Sequence, residues 1–267
     1  MVEFRAWEPW YEEIRKAFGY SLEADLRAAR LLNELLRGYD IGRALRRAEE
    51  LLSGRRVVVF GAGPNLEEHL ELCLRALSGV KDEEITIIAA DGATSALLEH
   101  DLVPDIITTD LDGDVNSILE ANERGSLAVI HAHGDNIEAL RRYVRSFGSH
   151  LTLGTCQTRP VGVLLNFGGF TDGDRAVFMA LHLGASSTLL AGWSFSGLVG
   201  RFSKPGLRGP VEASDVKKMK LSFAKKLVSW LADLNPGKIF VLEEEIPGTT
   251  RLDADMLEAF LSGGESP

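Results

Sequence analysis

The sequence predicts a Rossmann-like α/β fold: a mostly parallel sheet with helices on both faces, preceded by a helical N-terminal segment. Three observations predict it. After Gly54, short apolar runs alternate with stretches of helical periodicity, and repeated β-α order implies parallel strands covered on both sides. The runs are rich in β-branched residues and continuous rather than alternating, as strands buried on two faces should be. The chain has 267 residues, 45% of them hydrophobic, enough to fill the core of one large domain with an added helical segment.

In chain order, residues 1–53 read as helices. Leu22, Leu26, Ala29 and Leu36 recur at helical spacing, with Ser21 as N-cap and Gly38 as the break. Ile41, Leu45, Ala48 and Leu52 mark a further amphipathic helix that stops at Gly54. Nothing in this segment looks chemical. It is expected to cap the main domain or a second copy of the chain, which leaves a homodimer open.

An α/β catalytic domain is expected over 54–245. Its strands should run over Val57 to Phe60, Ile85 to Ala90, Ile106 to Thr109, Leu127 to His131, Leu151 to Leu153, Thr188 to Ala191 and Lys238 to Leu242. Helices are expected over Leu66 to Leu77, Ile137 to Phe147 and Arg175 to Leu183. Gly197 to Pro210 is rich in glycine and proline and carries Arg201, Lys204 and Arg208. It reads as a surface loop or as a basic lid. A basic helix follows from Ser214 to Leu231, with Ser214 as its cap. Residues 246–267 read as a C-terminal tail, disordered after Phe260.

The formal net charge of −10 argues against a general affinity for nucleic acid or anionic membranes. No apolar stretch approaches the roughly 20 residues that span a bilayer, and Met1 to Tyr11, with its acids and two tryptophans, is no signal peptide. Cys73 and Cys156 lack CxxC spacing and read as reduced thiols of a cytoplasmic protein.

Ligands of open parallel sheets bind beyond the carboxyl ends of the strands, and five motifs stand there. Gly61-Ala62-Gly63-Pro64-Asn65 links a strand to a helix. Its glycines let a backbone approach phosphate, the free amides of the helix start favour an anion, and Pro64 fits the first turn. A tight structural turn would look the same. The position of the third glycine of a dinucleotide fingerprint holds Leu66, and no GK[ST] is present. Asp91 closes the next strand before Gly92, as a site carboxylate or as a helix cap.

The sharpest signal is Asp110-Leu111-Asp112-Gly113. At strand spacing both carboxylates face one side. Two charges about 5 Å apart repel by roughly 3 kcal/mol at an effective dielectric of 20. Magnesium suits such a pair, filling its shell with water and phosphate oxygens. His131-Ala132-His133-Gly134-Asp135-Asn136 closes a further strand. Nitrogen ligands suit magnesium poorly, so phosphate contact or loop bracing is the better reading of its histidines, while Asp135 or Asn136 could cap the next helix. Gly168 to Arg175 is a glycine-acid loop in which Asp172 is an N-cap, a metal ligand or a group that orients an attacking hydroxyl. Thr155 to Thr158 follows another strand, where Gln157 and Thr158 could line a substrate pocket.

Ala90-Asp91-Gly92-Ala93, Pro104-Asp105 through Asp112, and Phe170-Thr171-Asp172 resemble motifs of thiamine pyrophosphokinases. The chain departs from that family at Gly113, where serine is usual, and it lacks the C-terminal strands of the thiamine-binding domain. From about Gly54 to Trp193 it more fully resembles the archaeal-type 6-hydroxymethyl-7,8-dihydropterin pyrophosphokinases. They share the Gly-x-Gly-Pro turn, the Asp-Gly-Ala turn, Asp-Leu-Asp-Gly and His-x-His-Gly-Asp-Asn. The resemblance implies diphosphate transfer from ATP to a reduced pterin, release of AMP, and a methanopterin- or folate-type pathway. It places magnesium on Asp91, Asp110 and Asp112, and phosphate on Gly61, Gly63, Pro64 and Asn65. Asp172 would act on the hydroxyl, and His133 or a basic residue near Arg201 would offset charge. Asp135, Asn136, Gln157 and Thr158 would contact substrate. A pyrophosphokinase for thiamine or another alcohol, or a nucleotide-binding regulator without turnover, are the rival readings.

Overall fold

The structure is a computed structural model describing residues 4–77 and 85–262. It begins with helices α1 (Phe4–Phe18), α2 (Leu22–Leu35) and α3 (Ile41–Leu52). The Ser21 hydroxyl accepts from Ala24 N, the capping that its position predicts. Strands and helices then alternate: β1 (Arg56–Phe60), α4 (Leu66–Leu77), β2 (Ile85–Ala90), α5 (Ala93–Glu99), β3 (Ile106–Thr109), α6 (Val115–Glu123), β4 (Leu127–Ala132), α7 (Ile137–Tyr143) and β5 (Thr152–Cys156). After α8 (Asp172–His182) and β6 (Ser187–Ala191) comes a short hairpin of β7 (Leu198–Val199) and β8 (Val211–Glu212). The long α9 (Asp215–Leu234), β9 (Ile239–Val241), β10 (Thr250–Arg251) and α10 (Ala254–Ser262) complete the described chain.

The main sheet has the order β10-β9-β6-β1-β2-β3-β4-β5, and every pairing in it is parallel. The Rossmann-like parallel expectation is borne out. The chain runs from β1 outward to β5 and then returns to lay β6 on the other side of β1. That reversal makes the β1/β6 boundary a topological switch point, where a crevice opens beyond the strand ends.

Alternate strand residues feed opposite faces. Val57, Val59, Ile88, Ile106 and Val129 pack with α1, α3, α8 and α9 on one side. Val58, Phe60, Ile87 and Ala89 meet α4, α5 and α10 on the other, where Ile107, Ala128 and Ile130 also meet α2, α6 and α7. The N-terminal helices thus divide between both faces. Trp7 is 1% exposed and sits edge-on to Phe178 of α8 at 6.4 Å between ring centroids.

Several elements differ from expectation. The segment read as a C-terminal tail supplies β10 and α10, because Leu257, Phe260 and Leu261 bury an apolar face against α4; residues 263–267 lie outside the described set. The glycine-rich stretch after Gly197 is a hairpin rather than an open loop, with Leu198 opposite Glu212 and Val199 opposite Val211. Among the described residues no helix is long and apolar enough to cross a membrane. Cys73 and Cys156 are both free and buried, and burial pushes the Cys73 thiol up to about 12.

Candidate active site

A cavity of about 320 Å³ opens beyond the carboxyl ends of the strands and is lined from five of the predicted motifs. Gly61 and Gly63 leave β1 beside Gly192, which leaves β6. Gly61 N–H donates to Ala191 O at 2.9 Å and Gly63 N–H to Gly192 O at 2.8 Å. A Cβ on Gly63 would lie 2.6 Å from that carbonyl oxygen, and one on Gly200 would lie 2.3 Å from Gly63 O. Four glycines therefore let three backbone segments cross at the switch point. Buried His69 secures the crossing by accepting from Gly192 N–H at 2.9 Å.

Pro64 and Asn65 lie outside the cavity lining. Asn65 donates to Trp193 O at 3.0 Å and to Glu243 at 3.1 Å, so it closes the turn. The crossing also changes what a substitution at Gly63 should do. Gly63→Val meets the backbone of Gly192 before it meets any ligand, so the fold cannot stay intact around it. We expect a loss of about 1–3 kcal/mol from overpacking, read as a lowered melting temperature without ligand; an unchanged melt would show that the crossing relaxes freely.

Three carboxylates converge at the floor of the cavity. Asp91, Asp110 and Asp172 each place an oxygen so that all three lie within 4.8 Å of one another. Asp91 is 7% exposed and has φ of 45°, an unusual backbone state for a residue other than glycine. Its Oδ1 accepts from Thr109 Oγ1 at 2.5 Å, and its side chain caps no helix. Burial first, then the charges of Asp110 and Asp112, push its carboxyl up to about 7.

Asp110 faces His133, with Nε2 to Oδ2 at 3.2 Å. Burial acts to raise it, but the His133 bond and the nearby positive charge of Arg175 outweigh burial and hold it below the usual carboxylate range. Asp172 pairs with Arg175 at 3.1 Å, and burial, then Asp110, raise its carboxyl well above the ordinary value. The cap of α8 is Thr171, with Asp174 closing a capping box, which leaves Asp172 free to face the cavity.

Asp112 is not the strand-face partner of Asp110 that its spacing predicts. Strand β3 ends at Thr109, and Leu111 has φ of 65°, so the alternation lapses after one residue. Asp112 lines the cavity half-exposed, in an ion pair with Lys204 of the hairpin. Asp172, from a different loop, completes the cluster with Asp91 and Asp110. Gly113 packs so closely that a Cβ there would lie 2.1 Å from Asp91 Oδ2.

Of the predicted substrate residues, Gln157 lines the cavity with His133. Asp135 and Thr158 do not line it. Asn136 is a brace: its amide donates to Asp110 O at 2.8 Å and to His131 O at 2.7 Å, and its carbonyl accepts from His133 N. His131 is buried within the sheet edge, 3.0 Å from Thr155 Oγ1. Arg201 does not face the site either. Its guanidinium clamps Glu67 and Glu99, each at 2.8 Å, and fastens the hairpin to α4 and α5.

Sequence reasoning missed Tyr20, Trp193, Lys217 and Lys220, all of which line the cavity beside Phe170 of the glycine-acid loop. None was read there as part of the site. Tyr20 precedes the Ser21 cap, and the lysines lie on α9 three residues apart, a helical spacing that puts both on one face. Gly61, Gly63, Trp193 and Lys204 line the cavity together with Tyr20, Gln157, His133 and Phe170, and Tyr20 stacks on Phe18 at 5.3 Å.

Residues 30–197 match the protein family described as 6-hydroxymethylpterin diphosphokinase MptE-like. The chain is 46% identical over 245 residues to a Pyrococcus furiosus protein named 6-hydroxymethyl-7,8-dihydropterin pyrophosphokinase, covering 92% of this chain and all of that one. A relative of the same name from Methanothermobacter thermautotrophicus is 46% identical over 231 residues, 86% of this chain and 95% of its own. Another, from Methanocaldococcus jannaschii, is 37% identical over 238 residues, 87% of this chain and 97% of its own.

Proposed function

The chain belongs to the MptE-like 6-hydroxymethylpterin diphosphokinase family, and from that premise we propose that it moves diphosphate from ATP to 6-hydroxymethyl-7,8-dihydropterin, with magnesium, and releases AMP. It is a pterin diphosphotransferase; the donor, the metal and the residue roles are our reading. The product would serve methanopterin- or folate-type cofactor synthesis.

The observation that carries the reading is the carboxylate cluster of Asp91, Asp110 and Asp172 in one cavity that the Gly61 and Gly63 turn and the aromatic residues Tyr20 and Phe170 also line. The donors are all oxygen, which fits magnesium, and the upward push on Asp91 and Asp172 marks a site that favours added positive charge. Asp91 and Asp110 would hold the ion, with Asp112 beside them and Asp172 facing the substrate hydroxyl. A bound magnesium ion neutralises phosphate charge and aligns donor and acceptor.

The protein's own groups do the rest. Phosphates fit beside the Gly61 and Gly63 turn, where Lys204 meets them at the mouth and the start of α4 contributes the positive end of its dipole. Lys217 on α9 lines the same cavity, while Lys220 lies over the Phe170 ring, 6.0 Å from its centroid. The pterin ring would lie against Tyr20, whose own ring packs on Phe170 with centroids 6.4 Å apart, with its hydroxymethyl group toward Asp172. The substrate oxygen attacks the β-phosphorus, the bond from that phosphorus to the bridging oxygen breaks, and AMP leaves with that oxygen. Asp172 takes the proton from the attacking hydroxyl. Its raised affinity for a proton suits that task, and Arg175 keeps it oriented. Such transition states are loose, so positioning and charge matter more than base strength.

The test is incubation with ATP, magnesium and, in separate reactions, the reduced pterin, thiamine or no alcohol. AMP formed only with the pterin supports the reading. AMP with thiamine instead, or nucleotide binding without AMP, overturns it.

A further inference from the structure

The N-terminal helices carry a buried carboxylate that the proposed chemistry does not use. Asp25 of α2 is 3% exposed and accepts three hydrogen bonds. Gly134 N–H reaches Oδ1 at 2.8 Å, while Tyr11 OH at 2.7 Å and Gln157 Nε2 at 2.9 Å share Oδ2. Tyr11 stays a phenol, since burial and then Asp25 itself raise its hydroxyl far above the usual range. A carboxylate with three donors around it can only accept.

That fixes the sense of Gln157. One N–H of its amide is committed to Asp25, which fixes that end as the nitrogen and the other as the carbonyl oxygen, an acceptor that also lies within hydrogen-bonding reach of the His131 ring. Trp7 Nε1 holds the Gln157 backbone oxygen at 3.1 Å, which stops the residue from shifting as a whole. The same carboxylate anchors Gly134, next to His133.

We propose that Asp25 is a positioning residue that sets the hydrogen-bonding polarity of Gln157, so that the cavity presents an acceptor to an N–H of the substrate ring. The inference rests on the reading above, in which the ring lies against Tyr20. Selectivity follows from it. A site built to accept an N–H rejects an analogue that offers only a lone pair there, because two acceptors would then face each other.

The consequence of removing the charge is specific. The Asp25→Asn side chain has one acceptor and one donor. Gly134 N–H cannot turn and takes the acceptor. Tyr11 can rotate its hydroxyl to receive the new NH₂. Gln157 can receive it only by turning its amide over, which points its own NH₂ at the cavity. Adding Gln157→Glu reverses this, since one glutamate oxygen accepts from the new amide at position 25 and the other restores an acceptor to the cavity.

The experiment compares the parent, Asp25→Asn, Gln157→Glu and the double variant in AMP release, with KM measured separately for pterin and ATP, alongside thermal melts. Asp25→Asn is expected to raise the pterin KM by about tenfold or more while the ATP KM stays within about twofold of the parent. Gln157→Glu alone sets two carboxylates against each other and should also lose pterin affinity. The double variant should regain most of it. A lowered melting temperature with an unchanged pterin KM, or a double variant no better than the single ones, overturns the proposal. Gln157→Met covers the case in which Asp25→Asn fails to fold: an unchanged pterin KM there is equally fatal. A parent that releases AMP with a different alcohol overturns the functional reading instead, and the variants then test the polarity of Gln157 through the KM of that alcohol.

Discussion

Asp91→Asn is expected to lower turnover by roughly 10³-fold, several kcal/mol of transition-state stabilisation, and at the same time to raise the melting temperature measured in chelator at pH 7. Both follow from the floor of the cavity. Asp91 faces Asp110 and Asp172 across less than 4.8 Å. Burial, then the charges of Asp110 and Asp112, push its carboxyl from 3.8 up to about 7. Between those values the folded protein holds a proton that the unfolded chain has released. Its stability therefore falls as pH rises through that window, by up to about 4 kcal/mol at roughly 1.4 kcal/mol per pH unit.

Asparagine removes that titration. It tolerates the positive φ of this position, and its carbonyl can still accept from Thr109. The stability profile of the variant should be flatter from about pH 4 to pH 7. Added magnesium should raise the melting temperature of the parent and leave that of the variant nearly unchanged. A variant with normal turnover and a lowered melting temperature would show that Asp91 is a structural acid. Asp112→Asn is expected to act more weakly, because Asp112 is half-exposed and already paired with Lys204.

Gly113→Ala carries the second large effect, on the order of 10²-fold in turnover, with little change in stability. The added methyl would lie 2.1 Å from Asp91 Oδ2 and 2.9 Å from its Cγ. The obstacle is the end of a side chain rather than backbone, so the carboxylate can swing away at small cost to the fold. It cannot do so and keep its place beside Asp110 and Asp172, and a displacement near 1 Å in such a site costs about that factor. Turnover and melts of Gly113→Ala and the double variant Gly113→Ala/Asp91→Asn decide the matter. If Gly113 acts through Asp91, the two losses will not add; additive losses, or a wild-type rate for Gly113→Ala, refute the link.

Local order was written in the sequence. Each strand of the main sheet from β1 to β9 stands where a β-branched apolar run predicted it, with only its ends displaced by a few residues. Ser21 and Ser214 cap the helices they precede. These features depend on neighbours in the chain, and a strand end delivers whatever residue comes next to the edge of the crevice. Asp91, Asp110, His133 and the Gly61 turn were visible for that reason, and Asp172 as the first residue of the helix after its glycine-acid loop.

What only the tertiary structure decided is which of these groups meet. The placement of β6 beside β1 brought Gly192 and Gly200 onto Gly63 and turned a candidate phosphate turn into a packed backbone crossing. A single left-handed residue, Leu111, ended the strand alternation and paired Asp112 with Lys204 at the cavity wall, while Asp172 joined Asp91 and Asp110 in the tight cluster. The helices before Gly54 looked chemically inert, yet they carry Tyr20 to the cavity wall and Asp25 to Gln157, 132 residues away. Periodicity and spacing report a residue's own face and its local turn. They carry no information on contacts made across a crossover connection, because those depend on strand order and on the sign of a few dihedral angles, which short-range pattern leaves open.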